Sequence, residues 1–302
     1  MLDDDLERLL DQVPALAGRS LVEELSGGLT NRNLKVTTPS GVYVVRASSS
    51  DASMLGIDRD AEHDNTLAAA GAGVGAEVVD YRPDLGVLVI TFIEGGALEN
   101  DSFTDPAVML RAARACRELH AGPAFTGVFD MFVRQAGYLE TVRRHGFELP
   151  PGYDDHAEAF ARVKAVLASR PVPRVPCNND LLAGNFIDDG QRVWLIDYEY
   201  SGMNDPYFEL GNTVTECEFT PEMTEAWVED YFGSLRRSDL ARVRLGSLCS
   251  EYGWSLWGYI QAATSPIDYD FRAWGRHRFD KAVRTFTGPD FDRLLDEVAD
   301  GD

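Results

Sequence analysis

The sequence predicts an α+β protein whose strands come first and whose helices follow. Three observations carry this. Apolar runs of strand length, separated by Gly and Ser turns, fill residues 1–94. Helical periods dominate from 105 onward. One hairpin, at 177–199, interrupts the helices and gathers oxygen-bearing side chains. A division into 1–94 and 95–302 follows, and 302 residues give ample length to bury a core.

Composition narrows the classes. The 44% hydrophobic content fits a globular chain, and the formal charge of −22 repels nucleic-acid phosphates and anionic lipid while favouring a cationic ligand. No apolar run approaches a membrane span, and Met-Leu-Asp-Asp-Asp-Leu-Glu is acidic where a signal peptide would be basic. The expectation is a cytoplasmic protein with no nucleic-acid partner and no membrane insertion. Cys116, Cys177, Cys217 and Cys249 form no C-x-x-C pair and read as reduced, buried thiols.

Residues 1–17 alternate acids with Leu6, Leu9, Leu10, Val13 and Leu16 at a helical period. Leu21 to Leu25 and Leu34 to Val36 read as strands joined by a loop holding Gly27, Gly28, Thr30 and Asn31. Such a loop is either only a turn or a place where backbone N–H groups lie over phosphate oxygens. Val42 to Ala47 forms a third strand ending near Arg46, and the helix starting near Asp58 offers Glu62. That pair is either a surface ion pair or the phosphate-holding cation and positioning acid that a kinase requires. Gly71, Gly73 and Gly75 follow a helix instead of opening one, so they mark a stop and turn and not a dinucleotide fingerprint. Glu77 to Asp80 and Gly86 to Ile93 complete the strands before the loop at Glu94-Gly95-Gly96.

Asp105-Pro106 opens a helix through His120, with proline in its first turn and the histidine as a helix-end residue and not a ligand. Further helices are predicted over 131–145 and 154–169, from Asp205-Pro206 through Glu216, and over 237–263. Between them, Asp180 precedes a short strand, Asn185 sits where it begins, and Asp197 sits where its partner ends, after a turn at Asp188-Asp189-Gly190. Two carboxylates and a carboxamide, with no His or Cys beside them, suit a hard cation such as Mg2+ and leave one base. Asp-x-x-x-x-Asn followed by a strand-terminal Asp is also the order of kinase catalytic loops. Trp254 and Trp257 project from one helix face, and Phe271 and Trp274 repeat the spacing. Such stripes are either core packing or, with carboxylates nearby, the aromatic walls that hold a quaternary ammonium.

The stretches Asn-Asp-Leu-Leu-Ala-Gly-Asn (179–185), Trp-Leu-Ile-Asp-Tyr-Glu-Tyr (194–200) and Asn-Asp-Pro-Tyr-Phe-Glu-Leu-Gly-Asn (204–212) resemble the choline/ethanolamine kinase family, within the aminoglycoside-phosphotransferase and protein-kinase-like group. Arg59, Glu62 and Asn65 match the family's Arg-x-x-Glu-x-x-Asn helix, and 254–262 resembles the segment that supplies part of its substrate cage. The resemblance implies a bilobal protein-kinase-like fold, an N-terminal antiparallel-sheet lobe and a larger helical lobe, with ATP and Mg2+ between them. It implies that Asp180 aligns the acceptor hydroxyl and that Asn185, Asp197 and Glu199 hold metal. Arg46, oriented by Glu62, then neutralises phosphate. Phe92, Ile93 and Glu94 form the hinge, with Ile187 and Ile196 also expected at the nucleotide. Tyr200, Glu216, Trp254, Trp257, Trp274 and Phe271 would surround a small cationic amino alcohol, and Asp205 would hold the catalytic loop.

The implied reaction is transfer of the ATP γ-phosphate to choline or a related amino alcohol. Ethanolamine, thiamine or aminoglycoside phosphotransfer are alternatives, as is an inactive nucleotide-binding regulator. Asn178 stands where the family has His, a scaffold whose bonds a carboxamide can reproduce. Cys217 to Pro221 supplies no clear further family aromatic. No Asp-Phe-Gly to Ala-Pro-Glu activation segment follows Asp197, which argues against a protein kinase.

Overall fold

A computed structural model of the chain describes residues 4–25, 31–48 and 55–301. The helix α1 (Asp4–Asp11) leads into strands β1 (Leu21–Leu25), β2 (Asn31–Thr38) and β3 (Gly41–Ser48). After helix α2 (Arg59–Gly71) come β4 (Val78–Arg82) and β5 (Val87–Thr91). These five strands make one antiparallel sheet in the order β1-β2-β3-β5-β4, so β3 lies at its centre with Arg46 opposite Leu88. Alternation puts Leu34, Val36, Val45, Val87 and Val89 on one face, where Leu6, Leu10 and Leu16 cover them. Strand β2 begins at Asn31, three residues earlier than its apolar run suggested.

Asp58 caps α2 by accepting from the backbone N–H groups of Asp60 and Ala61. The buried residues of this helix are Glu62, Asn65, Thr66 and Ala69. With so polar a buried face, specific hydrogen bonds and not greasy packing set its position.

Beyond Thr91 the chain pairs differently. The two-residue strand β6 (Gly96–Ala97) aligns Gly96 with Asp188 and Ala97 with Ile187 on the hairpin that follows Asn185. A Cβ at Gly95 would meet the Asp188 carbonyl oxygen at 2.7 Å, so only glycine lets the linker lie this close. Then follow α3 (Pro106–His120), α4 (Met131–His145), α5 (Ala157–Ser169), β7 (Val175–Cys177), β8 (Phe186–Asp188), β9 (Val193–Leu195) and β10 (Gly202–Asn204). The chain ends in α6 (Pro206–Glu216), α7 (Pro221–Phe232), α8 (Arg237–Thr264), α9 (Phe271–Phe286) and α10 (Phe291–Asp300). Helices α7 and α10 are additions to the sequence reading.

Helix α8 is the axle of this larger part: nearly every residue from Ala241 to Gln261 is buried. It meets α6 closely because both faces carry glycine; a Cβ at Gly211 would lie 2.4 Å from Val243 O and Ser247 N. That approach lets α6 carry Glu209 directly beneath the loop at 178–180. No described helix is long and apolar enough to cross a membrane.

Candidate active site

The loop after β7 is held from below. Asn179 adopts φ +69°, a left-handed conformation that asparagine tolerates better than most residues. Its backbone N–H donates to Glu209 Oε2 at 2.6 Å, its Nδ2 to the carbonyls of Cys177 and Tyr200, and its Oδ1 accepts from Asn204 Nδ2 at 2.8 Å. Glu209 Oε1 pairs with His120 Nε2 at 2.8 Å. Asp205 does not take the loop-holding role expected of it. It caps α6 through Tyr207 N and binds Arg242 Nη2 at 2.6 Å, because the N-cap position turns its carboxylate toward the helix end.

Asn178 sits one step closer to the chemistry. Its Nδ2 donates to the carbonyls of Ile196 (3.0 Å) and Asp197 (2.8 Å), and its Oδ1 accepts from Asp180 N at 3.0 Å. One carboxamide thus fixes the loop of Asp180 to the strand end of Asp197. Asn185 is tied to the same frame: its Nδ2 donates to Asp180 O at 2.8 Å, and its carbonyl accepts from Ile196 N at 3.0 Å.

Asp197 also has positive φ, +66°. Holding a non-glycine residue there costs about 1–3 kcal/mol, a strain that collects at functional sites. Its Oδ2 lies 2.7 Å from Arg46 Nη2, while its Oδ1 is buried with no hydrogen-bond partner among the described residues. Arg46 in turn meets Glu62 Oε1 at 2.5 Å. Burial works against the Arg46 charge, but Asp197, Glu62 and Glu199 outweigh it and raise its pKa above the usual value. Burial, together with Glu216, Asp197 and Glu199, pushes the Asp180 carboxyl well up.

Two cavities meet here. One, of 430 Å³, opens against the sheet and is lined by Arg46, Glu62, Phe92, Ile93, Ile187 and Ile196. The other, of 490 Å³, lies on the helical side and is lined by Asp180, Tyr200, Glu216, Trp254, Trp257 and Trp274. Asn185 and Asp197 line both. Trp254 stands edge-on to Tyr200 with centroids 4.9 Å apart, and Trp257 edge-on to Trp274 at 5.2 Å. Their indole N–H groups are already engaged, Trp254 Nε1 by Asn212 Oδ1 at 3.2 Å and Trp257 Nε1 by the Tyr200 hydroxyl at 3.0 Å, so the rings are locked.

Several expected residues sit elsewhere. Gly27, Gly28 and Thr30 lie outside the described residues. Asn31 lines the helical-side cavity, and its Nδ2 donates to Glu199 Oε2 at 2.8 Å. Arg59 Nη1 reaches the same Glu199 oxygen at 3.3 Å and Glu62 Oε2 at 2.6 Å. Glu199, read as a metal ligand, therefore serves this arginine cluster through Oε2. Glu94 is exposed and lines neither cavity. Phe271 is buried edge-on against Trp257 at 5.6 Å instead of facing the cavity. Glu216 faces it, but in an ion pair with Arg278. Arg278 and Lys281, which also line the helical-side cavity, escaped the sequence reading. They fall four and seven residues after Trp274, on the same helix face, which is the signal that could have found them.

Comparison with known proteins identifies the family. The family described as phosphotransferase enzyme family matches residues 21–245. The probable ethanolamine kinase A of Dictyostelium discoideum is 34% identical, the match covering 87% of this chain and 85% of that protein. Ethanolamine kinase 1 of Mus musculus is 26% identical over 84% of this chain and 80% of its own. The crystal structure of a choline/ethanolamine kinase family protein from Mesorhizobium loti superposes with a TM-score of 0.88 at 34% identity, covering all of both chains. Two lobes with a kinase-like catalytic loop between them, and a family match along most of the length, place this chain in the phosphotransferase enzyme family, on its choline/ethanolamine kinase branch.

Proposed function

We propose that this protein transfers the γ-phosphate of ATP, with Mg2+, to the hydroxyl of choline or a related amino alcohol. The observation that carries the reading is the meeting of two cavities at Asn185 and Asp197. A nucleotide seated against the sheet and an alcohol seated among the tryptophans would present their reacting groups to each other at those two side chains. The relatives' names, ethanolamine kinase and choline/ethanolamine kinase, support the acceptor class.

Asp197 and Asn185 fit a divalent ion. Asp197 has one buried carboxylate oxygen without a hydrogen-bond partner among the described residues, and Asn185 donates an amide N–H to Asp180 O, which leaves its side-chain oxygen as the other pole. Magnesium held there would neutralise phosphate oxygens and orient them. The protein supplies the rest. Asp180 accepts the hydrogen bond of the substrate hydroxyl, and its raised pKa makes it a better base for that proton. Arg46, gripped by Glu62 and Asp197, places a fixed positive charge at the phosphates. The aromatic walls hold the cationic end of the acceptor and exclude water.

The division of labour we propose runs at residue 94, residues 1–94 binding nucleotide and 95–302 carrying catalysis and acceptor. The end of the five-stranded sheet at Thr91 supports it. We place the reaction in the cytoplasm, supported by the four free, buried cysteines and by the need for ATP. Incubation with ATP and a panel of choline, ethanolamine, thiamine and an aminoglycoside tests the function. Phosphate on a small amino alcohol is the expected product; ATP binding without transfer to any hydroxyl would instead mark a nucleotide-binding regulator.

A further inference from the structure

The acceptor cavity is rich in carboxylates, yet apart from Asp180, which faces the acceptor hydroxyl, its inner ones are already in use. Glu216 is held by Arg278, whose guanidinium also lies over the Trp274 ring at 4.9 Å. Arg278 is only 6% exposed, so this is a built part of the wall and not a surface contact. Behind it Thr215 Oγ1 donates to Glu251 Oε1 at 2.8 Å and accepts from Lys281 Nζ at 2.6 Å, with Lys281 Nζ 3.7 Å from Glu251. Nearer the reacting end, Asp197 is paired with Arg46 and Glu199 with Arg59. Glu218 stands exposed, where water screens it.

We infer that Arg278 is a specificity-determining residue: as a resident cation it withdraws Glu216 from the acceptor, so the cavity selects amino alcohols by N-methylation, preferring a trimethylammonium to a primary ammonium. This narrows the acceptor within the amino-alcohol kinase reading and rests on it. A primary ammonium brings three N–H donors, and burying them without acceptors costs more than their charge regains. A trimethylammonium has no donor to satisfy and spreads its charge over methyl groups that lie well on tryptophan and tyrosine faces. Trp254, Trp257 and Tyr200 line the cavity, their rings locked by their own hydrogen bonds.

The test is the series ethanolamine, N-methylethanolamine, N,N-dimethylethanolamine and choline, each assayed for kcat/KM with ATP saturating. For the wild-type enzyme kcat/KM rises along the series, by about tenfold or more from first to last. Arg278→Met releases Glu216 and flattens the series by raising the ethanolamine end. Adding Glu216→Gln to that variant removes the released carboxylate and restores the slope. Should Arg278→Met not fold, Glu216→Gln alone decides the matter. With Glu216 engaged by Arg278, that change shifts both ends of the series equally, whereas a selective loss on ethanolamine would show that Glu216 receives the ammonium and overturn the inference. A wild-type series that is flat or favours ethanolamine also overturns it, leaving the amino-alcohol reading intact. No transfer to any member overturns both.

Discussion

Asn178 donates from Nδ2 to the main-chain carbonyl of Asp197 at 2.8 Å, and the same amide accepts from the N–H of Asp180. Asp180, proposed to align the acceptor, and Asp197, proposed to hold the metal, are thereby fixed to one side chain. The family's histidine at this position would make such bonds with a ring that titrates near neutrality; the carboxamide makes them at any pH.

Asn178→Ala removes three hydrogen bonds from this joint. A shift of the order of 1 Å between Asp180 and Asp197 lowers kcat about 100-fold. Steady-state kinetics, with circular dichroism to show that the fold persists, check it. Asn178→His restores most of the turnover but introduces a pH dependence near the histidine pKa that the wild-type enzyme lacks.

Asp180→Asn abolishes the hydroxyl-aligning base and lowers kcat by about 10²–10⁴-fold. The same change stabilises the unliganded protein at neutral pH. The Asp180 carboxyl has a folded-state pKa raised above its ordinary 3.8, so the folded protein binds more protons than the unfolded chain between that value and the raised one. Stability from this group falls as pH rises through the window, and an amide escapes the penalty. Thermal melts of both forms at several pH values read the effect, which vanishes below pH 3.8.

Much of this site was legible. Asp180, Asn185 and Asp197 are spaced around a tight hairpin, and a turn at 188–190 leaves few ways to separate them. Arg46 and Glu62 fall at a strand end and one turn into the next helix, and they meet at 2.5 Å. The engagement of Glu199 by Arg59 was not legible, because the two are far apart in sequence and several acids were available to that arginine. The resemblance pointed to Asp205 as the holder of the loop that carries Asp180, a place that Glu209 takes. Both lie at the start of α6, and only the rotation of that helix, set by the Gly211 contact, aims Glu209 inward. Strands of two or three residues such as β6 and β10 have no period to read. Strand β6 is placed by its pairing with β8 and β10 by its pairing with β7.

Glu62→Ala takes from Arg46 and Arg59 the nearer of the two acids they share, since Glu62 meets them at 2.5 Å and 2.6 Å and Glu199 at 3.8 Å and 3.3 Å. Breaking one side of a buried ionic cluster costs about 3–5 kcal/mol. The melting temperature falls, and the KM for ATP rises while that for the amino alcohol stays level. Differential scanning calorimetry and two-substrate kinetics separate these effects.

Trp254→Ala opens the wall that faces the cationic end. The KM for choline rises about tenfold or more, and that for ATP changes less than twofold. Trp254→Phe, which keeps a ring but loses the indole bond to Asn212 Oδ1, falls between. Equal effects on both substrates would return these rings to ordinary core packing.

The central claim is that phosphate crosses at Asn185 and Asp197. Following transfer of the terminal phosphate of labelled ATP to choline or ethanolamine by purified wild-type protein and by Asp197→Asn, with and without Mg2+, tests it most directly. The prediction is magnesium-dependent transfer by the wild type and its loss in a folded Asp197→Asn; undiminished transfer by that variant, or transfer indifferent to magnesium, would contradict it.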